Sequence, residues 1–203
     1  MSEEIKFGPA EDELFQILNP NVCEYMQAGK PFCIEEKDDN GKAEIVITPE
    51  CPCFVVRCMD EKARIRSLPF FNQTWKAVTQ CADHVVFLFD DANKNWILHV
   101  FEMKRAPDLE KWKHILQQFN GAMVRSYAIA GALRIPEFSE IHLHCCYRKD
   151  MSSPAKLKAL PGESAPKDFL KAPITLVSYP KLPVKNAGVS QKEGKIANKA
   201  PKA

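Results

Sequence analysis

Residues 81–105 read CADHVVFLFDDANKNWILHVFEMKR. His84 to Phe89 (HVVFLF) is a dense β-branched and aromatic run, Asp90 to Asn95 (DDANKN) is polar, and Trp96 to Phe101 (WILHVF) is a second apolar run. Two such runs around a short polar turn predict an antiparallel hairpin. Residues i and i+2 of a strand share a face, so Glu102 and Lys104 project side by side at the end of the second strand. The return of the hairpin brings Asp83, at the head of the first strand, to the same end of the sheet. Two carboxylates and one ammonium are therefore expected to converge there.

The chain on either side extends this hairpin into an α/β unit. Downstream, Asp108 is a candidate N-cap, and Leu109, Trp112, Ile115, Leu116, Phe119, Met123, Tyr127 and Ala130 recur every three or four residues, which predicts a helix to about Leu133. Ile141 to Tyr147 (IHLHCCY) then alternates as a strand. Strand, strand, long helix, strand implies a mixed central sheet flanked by helices. Upstream, Leu14, Phe15, Ile17 and Leu18 have helical spacing broken at Asn19-Pro20, which predicts one or two short helices over residues 10–29. Pro31 to Lys37 and Ala43 to Thr48 read as strands around the turn Asp38-Asp39-Asn40-Gly41, and Cys53 to Met59 continues the sheet. Residues 61–80 read as a loop with at most one helical turn near Trp75 to Thr79.

A chain of 203 residues, 45% hydrophobic and 27% charged, suits one domain rather than two. No stretch approaches the roughly 18 to 20 apolar residues of a membrane span, and the start MSEEIKFGPAEDEL lacks the pattern of a secretory signal. The expectation is a soluble, intracellular (cytoplasmic) protein whose eight cysteines are reduced. Residues 151–203 hold ten lysines, no arginine and three acids, a surplus of seven positive charges, so residues 1–150 carry −5 within the total of +2. With seven prolines and almost no aromatic residues, this Lys/Pro-rich tail is expected to be mostly disordered behind a folded domain at 1–150. Its one apolar patch, Ile174 to Tyr179, is a candidate edge strand.

The converging side chains suit a particular chemistry. Hard divalent cations such as Mg²⁺ take one or two carboxylates and keep positions for water and substrate phosphate. A neighbouring lysine can orient or deprotonate an attacking water and offset charge on the phosphate. The opposing explanation is structural: Asp83 caps a strand end, and Glu102 with Lys104 forms a surface ion pair. The stretch resembles the PD-(D/E)xK nuclease superfamily, with its restriction-endonuclease-like fold, in four features: an acidic residue opening one strand, a turn, a hydrophobic strand ending in Glu-x-Lys, and a helix carrying Gln117-Gln118. Ala82 stands where a proline often precedes the aspartate, and the tyrosine that often follows the helix glutamine is missing at Gly121 and Ala122. The resemblance implies that Asp83 and Glu102 bind Mg²⁺ or Mn²⁺, with the Met103 carbonyl as a third donor. It further implies that Lys104 is the catalytic lysine and Gln118, or Gln117, an auxiliary polar contact. The implied partner is nucleic acid, DNA favoured over RNA. An acidic contribution from the first helix would come from Glu13 or Glu24.

Two other functional classes remain. One is a nuclease-fold protein without catalysis that serves as a binding or assembly module, with a protein partner or as a homo-oligomer. The other is a zinc-stabilised interaction protein built on Cys51, Cys53 and Cys58, with Cys33 as a further candidate. His142 and His144 share one strand face and invite a metal reading without an evident third ligand. Arg125, Arg134, Lys111 and Lys113 are candidates for a phosphate track, while Trp75, Trp96 and Trp112 read as packing residues.

Overall fold

The computed structural model describes residues 11–38, 41–57, 80–148 and 174–179. The expected loop over 61–80 lies outside them except for Gln80, as does the expected disorder of the tail apart from Ile174–Tyr179. The elements are α1 (Glu11–Ile17), β1 (Cys23–Met26), β2 (Phe32–Asp38), β3 (Gly41–Ile47), β4 (Cys53–Arg57), β5 (His84–Asp90), β6 (Asn95–Lys104), α2 (Leu109–Ala132), β7 (Phe138–Arg148) and β8 (Ile174–Tyr179).

Six strands form one mixed sheet in the order β1-β4-β5-β6-β7-β8, so the α/β expectation holds at that level. The β5–β6 hairpin is antiparallel, in register from His84↔Phe101 to Asp90↔Asn95. Its turn is built by Asp90, whose Oδ1 accepts the Ala92 and Asn93 backbone N–H groups at 2.9 and 3.2 Å, while Lys94 takes the left-handed conformation at φ 55°. Helix α2 then carries the chain back so that β7 pairs parallel to β6. Asp108 caps α2 as expected, its Oδ1 accepting the Lys111 N–H at 2.9 Å. The C-terminal end closes with Arg134 at φ 58° and the Ile135 N–H donating to the Ala130 carbonyl at 2.8 Å.

Alternation sorts the apolar side chains into two cores. On one face, Phe54, Val85, Phe87, Leu98, Val100, Leu143 and Cys145 pack under Trp112, Ile115, Phe119, Ala122 and Met123 of α2. Phe54 and Phe87 stack with ring centroids 4.4 Å apart. The register slips between Trp96 and Ile97, where Trp96 faces Phe138 and Ile97 faces Glu140. This extra residue, Ser139, resets the parity of β7, so Phe138 and Ile141 both join the helix-side core. On the other face, Cys53, Val55, Val86, Phe101, Met103 and Cys146 pack against Phe32, Ile34 and Ile47.

Two details differ from the sequence expectations. Residues 23–26 form an edge strand antiparallel to β4 rather than a second short helix, because CEYM alternates and the Asn19-Pro20 break ends helical spacing before it. The β2–β3 hairpin is a separate two-stranded sheet that covers the second face of the main one, instead of extending it. The candidate edge strand Ile174–Tyr179, by contrast, is one: it pairs parallel to β7 as the terminal strand of the sheet.

The second face carries buried histidines. His84, His99 and His144 are lowered to about 4, 3 and 4, chiefly by burial, with Arg57 adding to the effect on His84 and neighbouring histidines adding to it on the other two. Because the unfolded chain binds these protons first, stability should fall as pH drops below about 6.5 and keep falling to near pH 4, by up to about 1.4 kcal/mol per pH unit for each histidine. Urea unfolding at pH 7, 6 and 5 checks this; His99→Gln should show a shallower decline than the wild type.

Candidate functional site

Asp83 immediately precedes His84, the first β5 residue paired with β6, so continuing the register sets it opposite Glu102. Odd positions of β5 and even positions of β6 face α2, which puts Asp83, Glu102 and Lys104 on the helix side of the sheet, at one end. The parallel pairing of β7 brings Cys145 beside Glu102 and Tyr147 beside Lys104. Asp83, Glu102 and Lys104 all act electrostatically on the Cys145 thiol, which burial, before any of them, pushes up to about 12.

Each member of the group has a local bond. The Met103 backbone N–H donates to Asp83 Oδ2 at 2.7 Å. Strand β5 begins one residue later, so this carboxylate takes the place of a ladder carbonyl at the strand's open end. The opposing explanation for Asp83, a strand-end cap, is thus correct for one of its oxygens. Lys104 Nζ pairs with Glu102 Oε1. This is not a surface pair: the Glu102 side chain is 0% exposed and that of Lys104 is 21% exposed. A carboxylate so enclosed stays ionised only beside a cation, and Lys104 supplies one.

Gln118 is buried on α2 beneath the segment leading into Asp83. Its carbonyl accepts the Ala82 N–H at 3.0 Å, and its side-chain Nε2 lies 3.5 Å from the Cys81 carbonyl. It therefore positions the head of β5 and does not meet Glu102 or Lys104 in any described bond. Gln117, one step round the helix, is half-buried. Glu24 pairs with Arg57 at the sheet's outer strands, and the side chain of Glu13 lies outside the described set.

The phosphate-track residues are not gathered. The site end of β6 pairs with Tyr147, whereas α2 delivers the chain to Phe138 beside Trp96, so Arg134 lies at the opposite end of the sheet. Lys111 is engaged with Asp108 at 3.1 Å. Trp96 and Trp112 are buried core residues, and Trp75 lies outside the described residues.

Among the described residues no group of three or more His, Cys, Asp and Glu side chains is arranged to hold a metal ion. This bears differently on the three candidates. Cys53 is buried in the second core and its thiol is pushed up to about 12 by that burial, which disfavours the thiolate zinc requires; Cys58 lies outside the described residues. The histidine pair gains a neighbour that sequence reasoning missed, His99, which faces His142 across the parallel β6–β7 ladder. His99 Nδ1 and His144 Nε2 are 3.1 Å apart with ring planes within 13° and centroids 5.4 Å apart, little more than the N···N distance plus two ring radii. The rings therefore meet head-on through one shared proton, an arrangement that leaves no room for an ion between them. His142 Nε2 is bound to Glu140 at 2.7 Å.

The remaining set, Asp83 and Glu102 with the Met103 backbone, offers oxygen donors only, the donor type that hard divalent cations such as Mg²⁺ or Mn²⁺ take. The cation that the structure sets against Glu102 is the Lys104 ammonium.

Comparison of the chain with protein-family models, with curated proteins and with solved structures gives no match.

The buried pair sets a measurable stability contrast. Lys104→Ala removes the cation paired with an enclosed carboxylate and should cost about 2–3 kcal/mol in urea unfolding, toward the lower end for a buried pair because Lys104 keeps some exposure. The double variant Glu102→Leu with Lys104→Met should recover most of that loss. A surface pair would instead give under about 1 kcal/mol for Lys104→Ala.

Proposed function

We propose that this chain is a divalent-metal-dependent nuclease with a PD-(D/E)xK-type, restriction-endonuclease-like core, hydrolysing phosphodiester bonds in nucleic acid, DNA favoured over RNA. The observation that carries the reading is the convergence of Asp83 and Glu102 from adjacent strands with Lys104 on the same sheet face. In support of it, the β5–β6 hairpin and the α2 helix that follows occur in the strand, turn, strand, helix order of the motif, and β7 continues the sheet parallel to β6.

Asp83 and Glu102 would hold Mg²⁺ or Mn²⁺, with the Met103 carbonyl as a further donor; such an ion binds phosphate oxygens and lowers the pKa of bound water. Asp83 is oriented for this by the Met103 N–H, which fixes one carboxylate oxygen. Gln118 holds the backbone before Asp83 and so sets where that carboxylate stands. Lys104 brings a positive charge next to the carboxylates, where it can offset charge developing on a phosphate and orient the attacking water. Glu102 is wholly buried, so bulk water is excluded from its side of the site. The −5 body is not a natural polyanion binder, so affinity would draw on the lysines of residues 151–203.

One observation favours a second reading. Glu102 is wholly enclosed and already neutralised by Lys104, as suits a nuclease-fold protein that serves as a binding or assembly module without catalysis. The two readings separate in an assay of the full chain on DNA and RNA with Mg²⁺, Mn²⁺ or chelator. The nuclease should cleave only with metal, and Asp83→Asn, whose amide oxygen still accepts the Met103 N–H, should stay folded and lose at least about 100-fold in rate. Absence of cleavage by the wild type on both nucleic acids would replace the nuclease with the binding module.

A further inference from the structure

We propose that Lys104 is the resident counter-ion of the divalent-cation site and that loading the site is an exchange, in which the ion takes the Glu102 carboxylate and the ammonium swings out. The inference rests on the reading of Glu102 as a metal ligand and adds how that ligand is made available. Glu102 cannot move to solvent: its side chain is 0% exposed, on the central strand beneath α2. Lys104 can, since it is the last residue of β6, its side chain is 21% exposed, and a flexible four-carbon stem carries its charge. The two therefore play unequal parts in the pair. The carboxylate is fixed and always requires a positive partner, because a lone charge at that depth is prohibitively costly. The ammonium is the cation paired with it in the structure, and a divalent ion can meet the same requirement.

The charges make simultaneous occupation of the same oxygen unfavourable. Asp83, Glu102 and Lys104 together carry −1, and a divalent ion arriving beside a retained ammonium would set like charges within a few ångströms of each other. Exchange avoids this by moving the lysine toward solvent. It also links two events that are usually considered apart, since the Lys104 head is released to an incoming phosphate only when Glu102 has been given another cation. Without metal the pair keeps the site closed and supports the fold. With metal, the lysine becomes available at the mouth of the site. Asp83, tethered through Met103, takes no part in the exchange and stays as the second ligand.

The test is Mn²⁺ binding by the full chain without nucleic acid, measured as loss of the free-ion electron paramagnetic resonance signal, with thermal unfolding followed in parallel. Lys104→Met should bind Mn²⁺ at least about tenfold more tightly than the wild type, and saturating Mn²⁺ should raise its melting temperature more than that of the wild type. Lys104→Arg, which holds the carboxylate through a bidentate pair, should bind Mn²⁺ more weakly, and it keeps the test decisive if the methionine variant fails to fold. Equal or weaker Mn²⁺ binding by folded Lys104→Met overturns the exchange, as does unchanged binding by Lys104→Arg. The outcome is separable from the nuclease reading. Tighter binding by Lys104→Met in a protein that cleaves nothing keeps the exchange and removes the nuclease, whereas metal-dependent cleavage with no gain in binding does the reverse. If neither wild type nor variant binds Mn²⁺, Glu102 is no metal ligand and both fall.

Discussion

Strand β6 is buried on both faces along almost its whole length, and each layer of the molecule is placed to keep it so. Helix α2 covers the face of Trp96, Leu98 and Val100, while the β2–β3 hairpin covers that of Phe101 and Met103. A strand in this position has no wet side on which to put polar groups, so each polar side chain it carries must be answered inside the protein. His99 is answered by His144 on the hairpin side, and Glu102 by Lys104 on the helix side. The neighbours of β6 are set by the same demand: β5 by a tight turn, β7 by a helix long enough to cross the sheet.

The α2-side polar pair is where structure and chemistry meet. A buried ion pair gives little net stability over a well-packed apolar pair, so retaining Glu102 and Lys104 in this core has no advantage for packing alone. Their position beside Asp83, at an end of the sheet where the strand ladder runs out, gives the arrangement a use. Asp83 closes the ladder and at the same time faces the same volume as Glu102. One carboxylate is thus set by the backbone, the other by an ammonium.

Much of this was legible from residues 81–133, because local signals agree there: a strong turn between two β-rich runs, then a capped helix with a regular apolar stripe. The approach of Asp83, Glu102 and Lys104 to one end and one face also follows from strand periodicity alone. What periodicity does not carry is register between strands distant in sequence. Cys145 beside Glu102 and His99 beside His142 follow only from the pairing of β7 with β6, and a one-residue bulge at Ser139 decides which side chains of β7 reach which core. Depth was equally hidden. Glu102-x-Lys104 reads as a strand end and hence as exposed, yet Glu102 is wholly buried and Lys104 mostly so. The same holds for residues 23–47, where alternation marks strands but does not say that β1 joins the large sheet while β2 and β3 form a small one above it.

The place of β8 has a consequence for how the chain comes to be folded. It lies parallel to β7 at the end of the sheet, yet residues 149–173 intervene between them. During synthesis from the N-terminus, β1, β4, β5, β6 and β7 can assemble well before β8 emerges. Through that interval β7 is an open edge with a row of unsatisfied backbone groups and apolar neighbours, the kind of surface that recruits strands from other chains. Closing it requires a parallel pairing across a long connection, which is intrinsically slow. The most vulnerable moment of this protein is therefore on the ribosome, between the appearance of Arg148 and that of Tyr179. The lysine-rich, proline-rich composition after residue 150 is well suited to that moment, since like charges and missing N–H donors beside an open edge discourage pairing between nascent chains.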